Sequence, residues 1–410
     1  MDVCGLRGAV TSELLRDIRA MACRPGHEMR EVVERIAEVA VQGTLTREAS
    51  GGWSLTYEEE APRGKRPAVV SRSVRFDMQL LRGGYNSIFE VREPAARCAQ
   101  RAVQRARDVG AGESLRGRPV QLLRISCDPV DGRSGVLALF VDYIIASSLA
   151  TQLAALDADV PASQLRASDM LLQLQSPLLC IEGLTPVGPQ LAVVQQAGEI
   201  DLEGFIAGRR ATERQLLFTL AGLCYFLKST WPLLRFCHRD LKPANVVVQA
   251  CAPHTRIFVP VGGMEGPTVA FDNVYSIGVI DFGGSSIQVA GPELVTFDEW
   301  SETFFEDIPQ AACEMPEDIA FFMLDLYCCI ERHSLGPTFP TVMTLPRTTL
   351  GTALETVDVE ARDFSEMKRA ARRLACERKP RTDPQVVLGH VARLYSRAME
   401  GKQEHLFFDV

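Results

Sequence analysis

Between two apolar stretches the chain carries the run Cys237-His238-Arg239-Asp240-Leu241-Lys242-Pro243-Ala244-Asn245, and further on Asp281-Phe282-Gly283. Nothing else in the sequence constrains a fold so tightly. A carboxylate, an ammonium and a carboxamide stand close together here, and a second carboxylate opens the later triplet. Val246-Val247-Val248 and Ile277-Gly278-Val279-Ile280, beside them, read as paired buried strands. A lone Asp or Asn is ordinarily a cap or turn residue. Four polar residues in this order between core-forming segments indicate a fold built to hold them together.

The set has a chemical meaning. Phosphoryl transfer needs a carboxylate near the incoming hydroxyl, a cation on the transferring phosphate, and oxygen ligands for Mg²⁺. Asp240, Lys242, Asn245 and Asp281 supply those groups. His-Arg-Asp-Leu-Lys-Pro-x-Asn followed by Asp-Phe-Gly resembles the catalytic and magnesium loops of eukaryotic-type serine/threonine protein kinases. The resemblance covers about residues 75 to 395, and is closest in the second half. It implies an α+β, two-lobed protein-kinase-like fold, with a β-rich N-lobe and a mainly helical C-lobe. ATP and Mg²⁺ are the implied cofactors, and the implied activity is transfer of the γ-phosphate to Ser or Thr hydroxyls of a protein. Asp240 would then orient or deprotonate the acceptor, Lys242 would neutralise the γ-phosphate, and Asn245 and Asp281 would hold Mg²⁺. The acidic run of the expected activation segment adds a separate expectation, that its carboxylates draw basic peptides and pair with Arg239 in place of an activation-loop phosphate. Lys242 also separates the chain from tyrosine kinases and from aminoglycoside-type small-molecule kinases, whose loop usually has histidine there.

Toward the N-terminus the resemblance is partial. Leu80 to Val91 stands where the family has its glycine-rich hairpin over the phosphates, with Gly83 and Gly84 present and Arg82 and Ser87 on the flanking glycine positions. Pro119 to Ser126 reads as the next strand and puts Arg124 where the family carries its ATP-anchoring lysine. No lysine occurs between Arg66 and Leu227, so no shift of alignment restores one. A guanidinium is broader than an ammonium and does not superimpose on it. The family that the chain resembles includes kinases that supply this cation from the glycine-rich loop, so the resemblance implies either Arg124 or, from the hairpin, Arg82. Asp142, 18 residues after Arg124, is the expected acidic partner, with Asp169 competing. Leu191 to Ile206 resembles the segment that links the lobes, and backbone groups from Val194 to Ala197, Gln196 among them, would meet adenine. Arg124 and the reduced glycine loop also admit a second reading, a pseudokinase scaffold that binds partners, with or without nucleotide, and transfers nothing.

Composition narrows the setting. With 46% hydrophobic and 23% charged residues, the 410-residue chain has the balance of a globular enzyme. A net charge of −8 points away from nucleic acid and toward a basic protein substrate. Twelve cysteines without a Cys-x-x-Cys pair indicate neither a zinc knuckle nor a disulfide framework. Met1 to Arg7 lacks a basic region followed by an apolar core, so a cytoplasmic or nuclear chain is expected. Gly135 to Leu156 has the length and polarity of a membrane span. Its serines, Asp142 and its place within the kinase-like region read as a buried helix instead, with no membrane involved. Six lysines against 38 arginines suggest a GC-rich genome, such as that of a large DNA virus.

Three segments are expected: residues 1–70 as a helical N-terminal extension whose helix packs on the kinase core, with a partner or autoregulatory element as the second reading, 71–200 as the N-lobe, and 201–410 as the C-lobe. The extension rests on the helical spacing of Met29, Val32, Val33, Ile36, Val39 and Ala40. Asn245 and Asp281 are 36 residues apart, and the excess, Gln249 to Ser276, reads as a surface excursion. From Ile257 to Glu331 there is no Lys, Arg or His, while carboxylates from Glu293 to Asp318 crowd the expected activation segment. The buried aspartate that opens the following helix is Asp325 or Asp318, with Asp325 the better match. Arg381 is the expected partner of Glu317.

Overall fold

The computed structural model describes residues 14, 17–18, 29–49, 52–60, 69–81, 86–92, 121–126, 133–185, 188–249, 256–261, 267–272, 275–289, 295–296, 315–351, 354, 363–377, 382–400 and 407–408. They form an α+β protein with a curled mixed sheet and a set of helices. The chain divides into two compact units, one of Met1–Ser147 with Gln173–Ala197, the other of Ser148–Leu172 with Gly198–Val410.

In the first unit, helix α1 (Met29–Ala37) precedes strands β1 (Val41–Arg47), β2 (Trp53–Glu60), β3 (Val69–Leu81), β4 (Asn86–Arg92) and β5 (Gln121–Ser126). After helix α2 (Arg133–Leu156) come β6 (Leu179–Thr185) and β7 (Gly188–Gln196). The strands close into a barrel in the order β1-β2-β3-β4-β5-β7-β6. Every pairing is antiparallel except the closing one, where Val41 lies beside Leu179 in parallel register. Alternation sets the interior: Leu55 and Tyr57, Phe76, Phe89 and Val91, Leu123 and Ile125, Leu179 and Ile181, Ala192 and Val194 share one core.

This corrects the expected helical extension. Residues 41–60 supply two barrel strands, and the helix ends at Ala37 because the chain beyond it switches to the two-residue period of Thr44-Leu45-Thr46 and Ser54-Leu55-Thr56. The helical part is real but short; Val32 and Ile36 bury its apolar face, and it lies on β7.

The second unit is mainly helical. After β8 (Ile200–Asp201) come α3 (Leu202–Ala207) and α4 (Glu213–Leu234), the latter opened by a reciprocal Thr212–Gln215 capping box. A three-stranded sheet has the order β12 (Ser276–Val279), β9 (Val246–Gln249), β8. The remaining helices are α5 (Met315–Arg332), α6 (Pro340–Leu350), α7 (Phe364–Glu377) and α8 (Pro384–Glu400). Of the stretch expected as a surface excursion, the described strands are instead built into the core. Strands β10 (Arg256–Pro260) and β11 (Thr268–Asp272) pair, Val259, Val269 and Phe271 are buried, and the Phe271 ring lies 4.2 Å from that of Tyr395 on α8.

Two helices, Val136–Leu156 and Glu213–Leu234, are long and apolar enough to cross a membrane, and 78% and 72% of their apolar windows are buried within the protein. A helix apolar on all faces is what a protein core requires as well.

Candidate active site

Helix α4 ends at Arg235 in the left-handed conformation, and the chain turns at once into the polar loop. Cys237 and Ser286 exchange both backbone hydrogen bonds (3.0 and 2.8 Å), which ties this loop to the segment following Asp281. His238 is fully buried. Its Nε2 lies 2.9 Å from the Ile280 carbonyl, an acceptor only, so Nε2 carries the proton. Burial pushes the imidazole pKa down, which keeps the ring neutral beside Phe282 (5.5 Å) and Phe236 (6.2 Å).

Arg239 has φ 63°, a left-handed conformation that non-glycine residues rarely adopt. The restraint comes from Asp318 on α5, whose two carboxylate oxygens accept from the N–H groups of His238 and Arg239, both at 2.7 Å. Both Asp318 and the preferred Asp325 are buried, and it is Asp318 that accepts from the N–H groups of this loop. Its burial pushes the carboxyl up to about 7, although the two N–H donors pull the other way.

Asp240 sits at the centre. Its Oδ2 is 2.7 Å from Lys242 Nζ and its Oδ1 2.7 Å from Lys368 Nζ on α7. The amide nitrogen of Asn245 donates to the Asp240 carbonyl (2.9 Å) and to Oδ2 (3.1 Å). Burial raises the Asp240 pKa, but Lys368 and Lys242 more than offset it, and the carboxyl is held below its ordinary value. Both ammoniums also meet aromatic faces: Lys242 lies 4.7 Å over Phe364 and Lys368 5.4 Å over Phe321.

Pairing of β9 with β12 sets Val246 beside Val279, and the Ile280 N–H donates to the Asn245 carbonyl at 3.0 Å. Asn245 and Asp281 therefore emerge from the same end of one two-stranded ribbon, with Asp281 also in the left-handed region at φ 67°. Because the Asn245 nitrogen is engaged with Asp240, the orientation of its amide is fixed and oxygen is the end that remains for a ligand. A carboxamide oxygen and a carboxylate suit a hard cation such as Mg²⁺, which takes few protein ligands and fills its shell with water and phosphate oxygens. Among the described residues no three His, Cys, Asp or Glu side chains form a metal-binding group of their own.

In the first unit, strand β5 turns Leu123 and Ile125 into the barrel, and Arg124 therefore projects from the opposite face. There its Nη1 meets Asp142 of α2 at 2.6 Å and Gln195 at 3.3 Å, with both charged side chains under a tenth exposed. The acidic partner is Asp142. Asp169, the competitor, belongs to the other unit, where burial raises its carboxyl pKa. The Val194 N–H donates to Ser176 Oγ (2.8 Å) and the Gln196 N–H to the Gln173 carbonyl (2.9 Å), so these two donors expected to meet adenine are engaged within the unit. Ser87 pairs with Ile125 across β4 and β5. Arg82, Gly83, Gly84 and Arg381 lie outside the described residues, as do the carboxylates from Glu293 to Glu314.

Lys368 and its helix were not foreseen. The one available signal was its residue type, since lysine is scarce in this chain. Neither the models of known protein families nor the curated proteins compared with the chain match it.

Proposed function

We propose that the chain is a Mg²⁺-dependent protein kinase that moves the γ-phosphoryl group of ATP to a serine or threonine hydroxyl of a protein. The carrying observation is the Asp240 cluster: a carboxylate gripped by Lys242 and Asn245, with Asn245 and Asp281 delivered together by the β9–β12 pair. In this reading Asp240 orients the acceptor hydroxyl and receives its proton, as the acceptor oxygen bonds to phosphorus and the bond to the β-phosphate bridging oxygen breaks. Lys242 neutralises the equatorial oxygens. Mg²⁺ would be held by Asn245 and Asp281, and when bound supplies charge neutralisation on the phosphates. Arg124 with Asp142 stands in for the family's lysine and glutamate pair.

A second reading, a pseudokinase scaffold, is favoured by Arg124 itself, whose guanidinium is buried and bound to Asp142 and Gln195. The deciding experiment follows labelled γ-phosphate from ATP to the protein itself, to a basic protein and to an acidic one, with wild type beside Asp240→Asn. Transfer that needs Mg²⁺ and falls by about 10²-fold or more in the variant is expected for a kinase, given what positioned acid–base groups contribute. Absence of transfer from wild type to all three acceptors selects the scaffold.

A further inference from the structure

Lys368 has no part in the resemblance, yet it touches the carboxylate on which the chemistry turns. Its Nζ lies 2.7 Å from Asp240 Oδ1, the oxygen opposite the one held by Lys242. The helix that carries it is firmly seated: Met367, Ala370, Ala371 and Leu374 of α7 are buried, and Phe364 at its start meets Phe321 of α5 with ring centroids 6.4 Å apart. The same two rings face the two lysines that hold Asp240.

On the kinase reading, two ammoniums thus flank the carboxylate at the place where an acceptor hydroxyl must arrive. Lys368 and Asp240 are each 18% exposed at the side chain, enough to be reached from solvent. Residue choice supports a purpose. In a chain with 38 arginines and six lysines, two of the six converge on a single carboxylate. A compact ammonium on a flexible stem can turn from Asp240 toward an incoming anion, which a planar guanidinium fork does less readily.

We propose that Lys368 is a specificity-determining residue that selects protein acceptors with a negative charge, from Asp, Glu or a phosphorylated side chain, next to the accepting hydroxyl. The assignment rests on the kinase reading and runs against the basic substrate suggested by the net charge of the chain. A cationic acceptor would have to bring its charge up to both ammoniums; an anionic one is drawn by Lys368, and in binding it loosens the ammonium from Oδ1 so that the hydroxyl has an oxygen to donate to.

The test uses two fluorescent peptides with one serine each, flanked by aspartates in one and by arginines in the other. Binding is read by anisotropy at fixed salt, and phosphate transfer is read in the same samples. Wild type is expected to bind the acidic peptide about two- to fivefold more tightly, the scale of one exposed charge pair. Lys368→Met brings the ratio close to one, Lys368→Glu inverts it, and Lys368→Arg retains it. Tighter binding of the arginine peptide by wild type, or an unchanged ratio in Lys368→Met, overturns the assignment. If the variants do not fold, the wild-type ratio alone decides. Transfer to both peptides with equal efficiency removes the role of Lys368 and leaves the kinase reading standing. A Lys368-dependent preference without transfer removes the kinase reading and with it the acceptor role, and leaves Lys368 as part of an anion-binding site.

Discussion

Asp318 holds its carboxyl in a place that disfavours the charged form, and the loop above is tied to its two oxygens. Its carboxyl is 1% exposed and pushed up to about 7, against about 4 for an ordinary aspartate. A raised pKa means that the folded chain binds this proton more tightly than the unfolded chain does. The stabilisation is therefore complete below about pH 4 and is lost as pH rises through about 7. Asp318→Asn has no such titration and also turns an NH₂ group toward a backbone N–H, which costs about 1–3 kcal/mol. The expected outcome is a lower melting temperature for the variant, with the wild-type advantage narrowing from pH 4 to 7; parallel melting profiles would count against it. Sequence could not separate Asp318 from Asp325, because seven residues make almost two helical turns and place both on one face. Asp240, Lys242, Asn245 and Asp281 were legible because local order alone defines them. The Lys368 contact was not, since it joins residues 128 apart on different elements.

At the scale of elements, the site depends on how closely the segment leading into β8 approaches β9. A Cβ at Gly198 would fall 2.5 Å from the Cβ of Val247, a branch point that cannot swing aside. Gly198→Ala is expected to destabilise by about 1–3 kcal/mol, as overpacking does. On the proposed kinase reading it should also reduce phosphate transfer more than an alanine at Gly389 on α8, where the nearest atom is 3.7 Å away at the end of an arginine; denaturant melts and initial rates of both variants check this. Helix α4 and strands β9 and β12 were readable from their apolar periods. Strands β1 and β2 were not, because the helical pattern of α1 runs into Val39-Ala40-Val41, and only pairing with β6 assigns the last of these to a sheet. The β10–β11 hairpin was misread for a similar reason: its glycine-rich neighbourhood signals a turn, whereas the burial of Phe271 against Tyr395 is decided by a helix more than a hundred residues on.

For the molecule as a whole, buried thiols offer a probe of each unit. Cys180 lies in the barrel unit, and Cys224, Cys237, Cys328 and Cys329 lie in the helical one, all buried. Burial also raises the pKa of the Cys224 thiol, which suppresses the reactive thiolate. In native buffer these five are expected to resist alkylation, and in rising denaturant the four of the helical unit should label together; mass spectrometry of the modified peptides reads both. Labelling of Cys224 without Cys328 would break that expectation. The closure of the barrel has a different consequence, for synthesis. Val41 finds its neighbour only at Leu179, so the first strand made has no partner on that side until the sixth has left the ribosome. A hairpin or meander can form as it emerges, but this barrel cannot complete its hydrogen bonding before roughly its whole length is out. Until then β1 is an open edge, the kind of strand that pairs with a neighbouring chain if left waiting.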